Sequence, residues 1–149
     1  VSSLKETQRK LVEAVARALG AVEGVRLGWA FGSRIHGQPR ADSDLDVGVV
    51  YGRTLSSRER ELARREVLQR LTDELGALGE GADVVDLDRA ASIVGFNALK
   101  HGALALERDR DERIDWMVRA IRRYQDDAPY RALFHEAAFG RPSRGDGGA

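Results

Sequence analysis

The chain has 149 residues, in which 24 Lys and Arg balance 24 Asp and Glu, so it carries no net charge and no global basic field to draw in a polynucleotide. That length suits one compact domain with a single active site. There is no cysteine, which excludes disulfides and thiolate metal sites, and no apolar run nears the roughly 18 residues of a membrane span.

The opening VSSLKETQRK lacks the apolar core of a signal peptide, and a cytoplasmic protein with no membrane contact is expected. Leu4, Leu11, Val15 and Leu19 recur at helical spacing before Gly20, predicting an amphipathic first helix. Residues 25–31, VRLGWAF, read as a strand that runs into Gly32. A second strand is expected from Asp44 to Tyr51. Its Leu45, Val47 and Val49 share one face, and Asp44 and Asp46 share the other, where Gly48 leaves room for close approach.

Ser56 and Glu59 form a capping box, and Leu62, Val67, Leu68, Leu71 and Leu75 continue a helical stripe to Gly76. Ala82 to Leu87 read as a third strand, Ala90 to Lys100 as a short helix stopped at Gly102, and Ala103 to Leu106 as an edge strand. Asp109 and Glu112 are a cap-like pair, so a last long helix should start near Asp111 and carry Ile114, Val118 and Ile121. Pro129 should break or kink it, with a helical pattern resuming over 130–139. A domain over residues 1–140 and a disordered tail over 141–149, RPSRGDGGA, follow from this pattern. The Arg-Gly-Asp within the tail is read as a chance tripeptide. The order of elements is that of an α+β domain.

The chemistry concentrates in GSRIHGQPRADSDLDVGVV, residues 32–50. Gly32 lets backbone approach a phosphate, Ser33 offers a hydroxyl and an N–H, and the Arg34 guanidinium can grip two phosphate oxygens. Gly37 would close the turn. Asp44 and Asp46, with Cα atoms about 6.5–7 Å apart on a strand, can converge on a pair of Mg²⁺ ions beside a nucleoside triphosphate. A third carboxylate would complete the metal shell or take the acceptor proton. Asp83 and Asp86 both qualify by position, and their opposite parity allows only one of them to face the site.

The Gly-Ser-x10-Asp-x-Asp signature, with Arg34 and Gly37 inside it and Ser43 before it, resembles the minimal nucleotidyltransferase family of the DNA polymerase β-like superfamily. Ala82-Asp83-Val84-Val85 is similar to that family's later strand, which favours Asp83 as the third carboxylate. The segment from Gly102 to Glu107 and the Arg-Arg-Tyr-Gln-Asp at 122–126 resemble members that pair with HEPN toxins. The resemblance spans residues 10–135 and implies a minimal nucleotidyltransferase fold, a small mixed sheet flanked by helices with a long C-terminal helix. It also implies an antitoxin that transfers AMP from ATP, with Mg²⁺, to a tyrosine of a HEPN ribonuclease toxin. Asp44, Asp46 and Asp83 would be the catalytic and metal residues, and Gly32, Ser33 and Arg34 the nucleotide-binding ones. Two other outcomes belong to the same reading: neutralisation by binding alone, or a small-molecule acceptor, against which the short chain argues.

The remaining conspicuous residues have plainer expectations. Asp42 suits a turn cap, His36 a solvent-facing loop, and His101 a helix end. His36, His101 and His135 share no ligand-like spacing. Trp29, Phe31, Trp116 and Tyr124 are expected in the core, and Arg119, Arg122 and Arg123 on a solvated helix face.

Overall fold

The computed structural model describes residues 2–32, 35 and 44–139. The elements run α1 (Ser2–Gly20), β1 (Val25–Phe31), β2 (Asp46–Tyr51), α2 (Ser57–Leu75), α3 (Ala77–Glu80), β3 (Asp83–Asp86), α4 (Ser92–His101), β4 (Ala103–Glu107), α5 (Arg110–Asp126) and α6 (Ala128–Phe139). Four strands form one mixed sheet in the order β3-β2-β1-β4. β1 pairs antiparallel with β2 and β4, whereas β2 and β3 are parallel, joined by the α2–α3 crossover. The expected α+β architecture is the observed one.

The alternation along β2 divides the interior in two. Val47, Val49 and Tyr51, with Leu45 just ahead of the strand, pack with Leu11, Val15 and Leu19 of α1 and Val67 and Leu71 of α2. On the other face, Leu27 and Trp29 of β1 and Val50 of β2 pack with Leu87, Ala98 of α4 and Trp116 of α5. A register shift between Val25 and Leu27 puts an extra residue into β1. It reverses the strand's parity, which is why Val25 joins the first cluster and Leu27 the second. Trp29 and Trp116 meet with ring centroids 4.9 Å apart, and the Trp116 indole N–H donates to Asp88 Oδ1 at 2.8 Å. Trp29 and Trp116 are buried as expected, while Phe31 and Tyr124 are half-buried, Tyr124 stacked on Phe96 at 3.9 Å.

Helix ends follow the local chemistry. Ser56 Oγ accepts from the Glu59 N–H and the Glu59 carboxylate accepts from the Ser56 N–H, the full capping box. Asp109 caps α5 by accepting from the Glu112 N–H at 3.0 Å, but the Glu112 carboxylate turns away to Arg26. α5 therefore starts at Arg110, one residue before the expected point. The break expected at Pro129 is present: α5 stops at Asp126, and Pro129 sits in the first turn of α6, where a missing N–H is tolerated. The one-turn helix α3 was not expected, and α4 begins at Ser92 rather than Ala90. Among the described residues no helix is long and apolar enough to cross a membrane. The tail expected over 141–149, with its Arg-Gly-Asp, lies outside the described residues.

Candidate active site

β1 reaches Phe31 and turns sharply at Gly32, whose φ is +94°. Side chains rarely adopt that conformation, and space forbids one as well: a Cβ on Gly32 would stand 2.5 Å from Asp46 Oδ2 and 3.5 Å from the Asp44 carbonyl oxygen. The Ile35 N–H donates to the Gly32 carbonyl at 3.1 Å and closes the turn. Gln8 of α1 donates its amide to the Ile35 carbonyl at 3.1 Å, and the Ile35 side chain packs on the α1–α2 core. Gln8 and Ile35 thus anchor the turn. Their contact spans 27 residues, and no local pattern in the sequence announces it.

The first residue of β2 is Asp46, not Asp44. Gly32 bends β1 away after Phe31, the register partner of Asp46, so residues 44 and 45 have no β1 backbone to pair with. Asp44 is exposed immediately ahead of the strand, and the Asp83 N–H donates to the Leu45 carbonyl at 2.9 Å.

On the other side of β2, Asp46 and Asp83 are direct register partners. Neighbours in a parallel pair leave the sheet on the same face, so their carboxylates share it. Asp46 is half-buried; burial raises its carboxyl pKa above the ordinary value, and the negative charges of Asp83 and then Asp44 raise it further. Asp46 therefore feels the other two carboxylates at one end of the sheet.

Asp86 has the opposite parity. It pairs in register with Val49, and its carboxylate accepts from Arg60 Nη1 at 2.9 Å, the two side chains only 19% and 12% exposed. Arg60 also donates to the Leu55 carbonyl, so Asp86 ties β3 to α2. The room at Gly48 has a different use from the one expected. A Cβ there would come within 2.8 to 3.0 Å of the Leu87 side chain, so the gap admits a core leucine rather than a ligand.

Ser33, Arg34, His36, Gly37, Asp42 and Ser43 lie outside the described residues. Among the described residues no group of three or more His, Asp or Glu stands close enough to hold a metal ion. The donor chemistry of Asp44, Asp46 and Asp83 nevertheless fits Mg²⁺. All three offer hard carboxylate oxygens, and the like charges of Asp83 and Asp44, which add to the effect of burial on Asp46, are what a cation would relieve.

Residues 13–111, more than half of the chain, match the family model described as polymerase beta, nucleotidyltransferase. No curated protein matches the sequence significantly. Among solved structures, a toxin–antitoxin with AMP-PNP is 25% identical at a TM-score of 0.65, with 85% of this chain and 98% of that chain covered. A mutant of the toxin–antitoxin MntA–HpeT is 26% identical at a TM-score of 0.60, with 82% and 93% covered. A tri-AMPylated Shewanella oneidensis HEPN toxin in complex with MNT antitoxin, 22% identical at a TM-score of 0.60 over 88% of this chain and 98% of that one, shares the fold. The four-stranded mixed sheet flanked by helices is the minimal nucleotidyltransferase fold, and the chain belongs to the polymerase β nucleotidyltransferase family.

Proposed function

We propose that this protein transfers AMP from ATP to a tyrosine hydroxyl of a partner HEPN ribonuclease toxin and, by doing so, acts as its antitoxin. The observation that carries the reading is the in-register pair Asp46 and Asp83 beside the tight turn at Gly32. Similarity to a toxin–antitoxin bound to AMP-PNP supports ATP as the donor, and similarity to a complex with an AMPylated HEPN toxin supports a protein acceptor.

In this reading Gly32 keeps the turn free of side chain so that its backbone can approach the triphosphate, with Ser33 and Arg34 as further phosphate ligands. Asp44, Asp46 and Asp83 would hold two Mg²⁺ ions, which supply charge neutralisation at the attacking and leaving oxygens. The tyrosine oxygen bonds to the α-phosphorus as the bond from that phosphorus to the β-phosphate oxygen breaks and pyrophosphate departs. Asp83, exposed where its register partner Asp46 is half-buried, accepts the phenolic proton. The half-buried Asp46, fixed between β1 and β3, orients the ligand shell.

The test is incubation with α-labelled ATP, Mg²⁺ and the cognate HEPN protein. Label should appear on that protein with the natural chain and disappear with Asp44→Asn plus Asp46→Asn. Loss of cellular protection by this double variant, with toxin binding retained, is expected; full protection by it would favour neutralisation by binding alone.

A further inference from the structure

Trp116 points from α5 into the core and is 3% exposed, so the opposite side of the helix looks outward. At about 100° per residue, Val118 stands at the middle of that side, Ile114 and Ile121 on one flank, and Asp111, Asp115, Arg119 and Arg122 on the other. Ile114, Val118 and Ile121 are 40%, 43% and 37% exposed, a stripe of three β-branched apolar side chains along two turns. The four charged residues are exposed, and among the described residues none of them has an ion-pair partner.

We infer that this face of α5 is the seam of a two-fold homodimer, with the α5 helices of two copies crossing antiparallel near Val118. The order of the charges selects both the partner and the direction. The acidic pair lies in the N-terminal half of the face and the arginines in the C-terminal half, all on one flank. Antiparallel helices bring like flanks together, so Asp115 of one copy faces Arg122 of the other, twice by symmetry, beside a shared strip of Ile114, Val118 and Ile121. A parallel pair would set this flank against the opposite one, leaving Asp115 and Arg122 facing Ile114 and Ile121 instead of each other. A membrane surface would want a uniformly basic rim, and this rim is half acidic. One helix face is at the small end of interface sizes, so a reversible dimer with a dissociation constant on the order of micromolar is expected. This inference does not rest on the proposed AMP transfer.

Sedimentation velocity of the purified chain over a concentration series tests it. The natural chain should pass from monomer to dimer. Val118→Asp, Asp115→Arg and Arg122→Asp, all at exposed positions, should each raise the dissociation constant by roughly tenfold or more. Asp115→Arg combined with Arg122→Asp should restore it, because the pair is re-formed with its charges exchanged. A chain that stays monomeric throughout, a dimer indifferent to these substitutions, or a double reversal that fails to restore association would each overturn the proposal. So would a monomeric chain whose α5 variants instead lose affinity for the HEPN protein, since the face would then belong to that partner.

Discussion

Asp46 and Asp83 are register partners across the parallel β2–β3 pair, and this places two carboxylates from residues 37 positions apart on the same face at one end of the sheet. Asp86, three residues further along, falls on the other face and is committed to Arg60. Substitution at the two positions should therefore have opposite consequences. Asp83→Asn is expected to lower AMP transfer by about 10²-fold or more while leaving the melting temperature unchanged or slightly raised, since it removes a like charge beside Asp46. Asp86→Asn should cost about 1–3 kcal/mol by leaving a largely buried Arg60 without its counter-charge, and the folded variant should transfer AMP normally. Parallel urea titrations and transfer assays separate the two.

Asp46 links function to stability with a definite sign. Its carboxyl pKa in the folded protein is raised above the ordinary 3.8 by burial and then by Asp83 and Asp44, so the folded state holds the proton more tightly than the unfolded state. The stability this group contributes is complete below the unfolded value and is lost as pH rises through the folded one. In the presence of a chelator, Asp46→Asn should then be more stable than the natural chain at neutral pH and equal to it below about pH 4. Thermal melts across that range check the prediction; an Asn variant less stable at neutral pH would contradict it.

Gly32→Ala meets two obstacles, a positive φ and the Asp46 carboxylate 2.5 Å from the new methyl group. The backbone strain alone is worth about 1–2 kcal/mol. Relief of the clash must displace Asp46 or the turn held by Ile35, so ATP affinity should fall more than the melting temperature suggests. Calorimetric titration with a non-hydrolysable ATP analogue beside a melting curve measures both.

Much of this arrangement is legible in the chain because it rests on local rules. The stripes of α1 and α2, the Ser56 capping box and the alternation of Leu45, Val47 and Val49 each follow from a period or a cap within a few residues. Parity alone separates Asp83 from Asp86, but which of them joins Asp46 depends on the β2–β3 register, a contact made across the α2–α3 crossover. Long-range packing also decides the rest. Gly48 is small for Leu87, Gln8 reaches Ile35, and β2 begins at Asp46 because Gly32 has already turned β1 aside. α3 is a single turn, too short to display a period.

The second core layer offers a check independent of the site. Trp116 is buried against Trp29 and donates its indole N–H to Asp88 at 2.8 Å. Trp116→Phe keeps an aromatic ring but loses the hydrogen bond to the Asp88 carboxylate and part of the packing on Trp29, which should cost about 1–2 kcal/mol. Near-ultraviolet dichroism should lose the signal of the coupled tryptophan pair, and urea unfolding should report the energy.

The most direct measurement is the intact mass of the HEPN protein after incubation with ATP, Mg²⁺ and this chain, followed by peptide mapping of the adduct. The account predicts whole AMP units on a tyrosine with the natural chain, and none with Asp46→Asn although the two proteins still associate. An unmodified HEPN protein whose ribonuclease activity is nonetheless silenced, or equal modification by Asp46→Asn, would contradict it.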